Sequence, residues 1–315
     1  MSAVAVTLFM LLKTIPIGGE GRWDYICVDP TAQRLYIPRS THVQILDLEK
    51  GVVIGDISNT NGVHGVALAP EQNLGFTSNG RDSTVSAFDL KTFKVSKTIK
   101  TGRNPDAIIY DPASKHILSI NHSGGSVTVI DPAALDKDPV TIAVGGTLEF
   151  AAADGAGHVF VNVENRNEVV QIDSKTNQVL AHWPLAEGKG PTGLAIDIQR
   201  HRLFAGCGNQ KMIVLDSESG KVLAVVDIGR GVDGVGYEPT LGVAMSANGR
   251  DGTISVVKET SPGKFEVIDT PKTQSGARTI AVDTNKQQAL LPCNVPDGKD
   301  GQTFGIAVVG LKESK

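Results

Sequence analysis

The stretch VHGVALAPEQNLGFTSNGRDSTVSAFDLKTFKVSKTIK, Val63 to Lys100, decides how the chain is read. Gly65 to Leu68 is a short apolar strand, stopped by the turn Ala69-Pro70-Glu71-Gln72-Asn73. Leu74 to Ser78 is a second strand, and Asn79-Gly80-Arg81-Asp82 is a polar loop. Thr84 to Asp89 alternates as a third strand, and after Leu90-Lys91-Thr92 the run from Phe93 to Lys100 makes a fourth. Short β-rich runs at this spacing, broken by Gly, Pro, Asn and Asp, predict an all-β fold.

The same phrase returns along the whole chain. Its clearest marks are Ile45-Leu46-Asp47, Ala87-Phe88-Asp89, Val129-Ile130-Asp131, Gln171-Ile172-Asp173 and Val214-Leu215-Asp216, whose aspartates recur every 42 or 43 residues. A fixed period of this length marks a repeat architecture, and four short strands per period match a propeller blade rather than a helical solenoid. Blades start near Trp23, Val63, Asn104, Leu148, Gly190, Val232 and Ala277, which predicts a seven-bladed β-propeller of four-stranded blades. The last copy ends after Phe304 to Val309 without a fourth strand. Residues 6–19, which resemble the fourth-strand segments, are expected to pair with that blade and close the ring. Closure leaves only short, protected sheet edges. The repeat offers no linker, so residues 1–315 read as one domain.

Composition narrows the function classes. The formal net charge is −4 with acids and bases scattered, and no basic stripe suits a phosphate backbone, so strong nucleic-acid binding is not expected. No uninterrupted apolar run is long enough to span a bilayer. Ala3 to Leu12 has the length of a signal-peptide core, but no basic segment precedes it, which favours the closing-strand reading. Cys27, Cys207 and Cys293 fall on separate blades, beyond the reach of a disulfide. No nucleotide-binding loop, nucleophile elbow, His-Glu-x-x-His or Cys-x-x-Cys occurs.

The units Leu35-Tyr36-Ile37-Pro38 with Val43-Gln44-Ile45-Leu46-Asp47, and Arg202-Leu203-Phe204-Ala205 with Ile213-Val214-Leu215-Asp216, resemble the YVTN repeat of the YncE-like seven-bladed propellers. The resemblance covers essentially the whole chain. It implies the fold, a frequently exported protein (hence a periplasmic or secreted location) and no shared catalytic motif.

Chemistry is expected where the first strands open onto the channel. Counting five residues back from each corner after a first strand gives Asp24, His64, Asp106, Glu149, Thr192, Asp233 and Arg278. Sevenfold geometry places these polar side chains in a ring at the channel mouth. Four carboxylates facing one axis need a cation, a shared proton or Arg278 to offset their repulsion. Asp24, His64, Asp106, Glu149 and Asp233 are ligand types for a divalent cation. Loops after second strands add His42, Arg81, His122, Arg166, Cys207 and Arg250 on the same face. His64 and His122 lie on adjacent blades with Asp106 between them, a pattern that suits acid–base catalysis. Arg22 and Trp23 would supply a cation and an aromatic wall, with Thr192 and Arg278, to a bound ligand.

Three functions stay open at this point. One is a monomeric propeller that binds a small ligand, a cation or a partner around its channel. The second is a metal-assisted lactonase, hydrolase or lyase, and the third is a protein-interaction scaffold. A ring that is merely solvated, its side chains bonding nearby backbone, competes with all three.

Overall fold

The computed structural model describes residues 9–298 and 301–312. Seven four-stranded antiparallel sheets stand around one axis as a seven-bladed β-propeller. The first strands begin at Cys27, Val63, Pro105, Leu148, Pro191, Val232 and Ala281. Each lies against the first strands of its two neighbours, so together they wall the channel. The only helical turns among the described residues are Pro70–Gln72 and Glu164–Arg166. No described helix is long and apolar enough to cross a membrane.

The aspartates that reveal the period are turn-makers. Asp47 Oδ1 accepts from the backbone N–H groups of Glu49 and Lys50, and Asp89 Oδ1 from those of Lys91 and Thr92. Asp173 and Asp216 repeat the arrangement. A short carboxylate bonding backbone two and three residues on folds the chain sharply between third and fourth strands. These bonds hold the Asp47, Asp89 and Asp173 carboxyls below the usual carboxylate range. At the Val63–Lys100 blade the turn reaches further than expected. Phe93 adopts φ 61° and donates to Asp89 O, so the fourth strand starts at Val95.

The core lies between blades. Seven buried apolar clusters occur among the described residues, one for each neighbouring pair. Ring closure follows the same logic. Phe9–Pro16 pairs antiparallel with Gln302–Leu311, running from Phe9↔Leu311 to Pro16↔Gly305. Positions 6–8 of the expected closing strand lie outside the described residues. Ile15 joins Leu35, Leu46, Leu290 and Phe304 in the cluster that seals the seventh blade to the first.

A buried arginine fastens this seam. Arg39 is 1% exposed, and its guanidinium lies 3.7 Å from the Phe304 ring centre. It donates to the carbonyls of Gly18, Gly19 and Gly21 and to Gln44 Oε1. Burial lowers its pKa to about 10, so it stays charged. The link from the closing strand to the first blade is thus tied down by charged hydrogen bonds, each stronger than a neutral one.

Candidate functional site

A recurrent irregularity builds the channel mouth. Where first and second strands pair, the register slips between Val63 and Gly65, Pro105 and Ile108, Leu148 and Ala151, Pro191 and Leu194, and Val232 and Val235. These β-bulges free His64, Asp106, Glu149, Thr192 and Asp233 from regular pairing. Bulges commonly re-aim a side chain in this way. In the first and seventh blades regular pairing starts only at Cys27 and Ala281, so Asp24 and Arg278 sit on the lead-in segments.

The side chains then meet in two groups. His64 Nδ1 lies 2.7 Å from Asp24 Oδ2 and 3.3 Å from Asp106 Oδ1. His122 Nδ1 lies 3.1 Å from Glu149 Oε1, 3.8 Å from Asp106 Oδ2 and 3.0 Å from the carbonyl of Leu148. Asp106 therefore stands between both imidazoles. Its Oδ1 is buried without a hydrogen-bond partner, because the close Nδ1 bond of His64 goes to Asp24. Within each group the ligand-type atoms all lie within 4.8 Å of one another.

The other ring members divide by role. Arg278 pairs with Asp233 and reaches Asp24 Oδ1 at 3.5 Å. Thr192 turns its hydroxyl to backbone carbonyls, Val232 O at 3.2 Å, and stands apart from both groups. Trp23 packs on Phe304 with ring centres 5.2 Å apart, and its carbonyl faces Arg278 Nη2 at 3.5 Å. Arg22 is exposed, and its backbone N–H donates to Ser40 Oγ. His42 faces Asp56 at 3.6 Å, in neither group, and all three cysteines are free.

Tyr25, which the sequence reading missed, closes the floor. It is 8% exposed, and from the first blade its hydroxyl reaches Glu149 Oε2 at 3.3 Å and Asp233 Oδ1 at 3.5 Å. Its ring lies 4.9 Å from that of Phe150. Below this lid the channel is a cavity of about 380 Å³ lined by apolar side chains such as Val66, Ile108 and Ile280.

Desolvation dominates the electrostatics. The ring carboxylates keep 11–17% of their side-chain surface, so ionisation costs more here than in water. Burial lifts the Asp106 carboxyl to about 7, with Asp24 and Glu149 adding to the rise against His64 and His122. Burial, against the opposing pull of Arg278, also lifts Asp233 to about 7. His122 rises to about 9, chiefly through its bond to Glu149. For His64, burial opposes the charge, but the bond to Asp24 and the charge of Asp106 outweigh it and the pKa rises.

The loop glycines are shaped to these side chains. A Cβ on Gly80 would lie 2.8 Å from the His64 ring and 2.6 Å from Asn104 Oδ1, and one on Gly249 2.7 Å from Arg278 Cβ. The duplicated Asn-Gly-Arg-Asp loops also have a structural part. Asn79 and Asn248 each bond across their hairpins, to Thr84 and Ser86 and to Thr253 and Ser255.

Beside the ring an open depression of about 600 Å³ is lined by Asp233, Arg250, Ser275, Gly276 and Arg278. No family model matches the chain, and no curated protein matches it. The fold supports ligand binding or interaction in general terms and names no ligand.

Proposed function

We propose that this propeller binds a divalent metal cation at its channel mouth, with Asp24, His64 and Asp106 as ligands. One observation carries the reading: His64 Nδ1 stands 2.7 Å and 3.3 Å from carboxylate oxygens of two other blades. Ligands about 2.1 Å from an ion stand roughly 3.0–3.4 Å apart in octahedral or tetrahedral geometry, so small side-chain shifts suffice. The mixed imidazole and carboxylate donors suit zinc, manganese or iron better than calcium. The test is calorimetric titration of chelator-treated protein with Zn²⁺ and Mn²⁺. Wild type should bind and His64→Ala should lose the affinity, whereas equal binding by both would overturn the ligand assignment.

The membership in the YVTN-repeat, YncE-like propellers, the exported location and the monomeric state belong to the same proposal. The blade phrasing around Leu35 to Asp47 and Arg202 to Asp216 supports the family, and the exported location follows from the family.

A second reading, a metal-assisted hydrolase or lyase, draws support from the depression beside the ring. Arg250 and Arg278 line it, a pair suited to an anionic substrate. A divalent ion supplies Lewis-acid polarisation of a carbonyl oxygen. His122, whose bond to Glu149 favours its charged form, is the group placed to deliver a proton.

A further inference from the structure

We infer that the mouth holds two divalent transition-metal ions, bridged by the carboxylate of Asp106. This inference rests on the cation-binding reading above and extends it.

The two ligand groups are matched and share one member. Asp24 with His64 flanks Asp106 on one side, and Glu149 with His122 flanks it on the other. Asp106 presents Oδ1 to His64 at 3.3 Å and Oδ2 to His122 at 3.8 Å, one oxygen to each side. A carboxylate divided in this way is the bridge of a two-metal site, whose ions stand about 3.5–4 Å apart. Each ion would take one imidazole, one terminal carboxylate and half of the bridge, and His122 Nδ1 would give up to solvent the proton that it donates to the Leu148 carbonyl. Equal donor sets favour two ions of the same element.

Charge and access agree with double occupancy. Asp24, Asp106 and Glu149 bring three negative charges, and Asp233 is answered by Arg278. Against two dications one positive charge remains, which an anionic oxygen ligand would neutralise. Tyr25 closes the floor by bonding Glu149 and packing on Phe150. The arginine-lined depression beside the ring gives such a ligand access to the site. The ligand class that fits is a small carboxylate or phosphate ester bridging both ions. Double occupancy makes His122 a ligand and removes it from proton transfer.

The test titrates the chelator-treated full chain with Mn²⁺, following stoichiometry by calorimetry and coupling by electron paramagnetic resonance. The expected result is two ions per chain with an exchange-coupled spectrum. His122→Ala should hold one ion with an uncoupled six-line spectrum. Asp106→Asn should lose the coupling and weaken both sites by more than the roughly 10–100-fold typical of outer-shell changes. Thermal melts of both variants confirm folding. A single uncoupled ion in wild type would overturn the bridge and leave the cation reading standing. No bound ion in wild type would overturn both.

Discussion

Replacing Asp106 by Asn should stabilise the metal-free protein at alkaline pH, although it removes a charged group from an ion-pair network. The carboxyl sits at about 7 instead of its ordinary 3.8. A folded-state pKa above the unfolded value means that folding takes up a proton. That contribution is complete below pH 3.8 and is lost as pH rises through about 7. At about 1.36 kcal/mol per pKa unit, the ionised group costs up to about 4 kcal/mol at pH 8. Water entry and relaxation reduce this, and a gain of roughly 2 kcal/mol is the working figure for Asn. At about 2.1 cal/mol/K of unfolding entropy per residue, that is a rise in Tm of about 3 °C for this 315-residue chain. The assay is a thermal melt followed by circular dichroism at pH 5 and pH 8, with chelator and with Mn²⁺. With chelator the variant should melt higher at pH 8 and keep less than half of the advantage at pH 5. With Mn²⁺ the order should reverse, because wild type gains more from binding. An Asp106→Asn protein that melts several degrees lower at pH 8 in chelator would refute the reasoning and make the ring a structural scaffold.

Three further outcomes are expected. Arg39→Met strips the seam of its charged hydrogen bonds and its contact with Phe304 and leaves buried carbonyls unpaired, so it should cost about 3 kcal/mol, seen as a lower urea midpoint. Deleting residues 1–16 removes the strand paired with Gln302–Leu311, and calorimetry should show loss of the single cooperative transition rather than a small shift. Gly80→Ala places a methyl group against the His64 ring, so metal affinity measured by titration should fall about tenfold or more while the urea midpoint moves little.

The repeat was legible because its marker aspartates perform one job. Each closes a turn by bonding backbone N–H groups, so the residue and its spacing persist while the strands around it vary. The ring positions could be counted because the bulge sits at one place in the blade, and five of the ring members fall on it. Which ring members meet was not legible for all of them. Thr192 bonds backbone instead of joining a group, a choice set by the local carbonyl of Val232. Tyr25 escaped notice because its partners are on distant blades. It fits across the axis where the corresponding positions of other blades are as small as Gly65, Ala107, Gly193 and Gly234. Arg39 was equally hidden, since an arginine after a second strand reads as a surface residue until the Gly18–Gly21 carbonyls close around it.

Elemental analysis of tag-free protein, purified without chelator alongside Asp106→Ala, tests the central claim most directly. The account predicts a stoichiometric divalent transition metal in wild type that disappears from the variant while its fold persists by circular dichroism. Wild-type protein free of metal, and unable to take up Zn²⁺ or Mn²⁺ when dialysed against either, would contradict it.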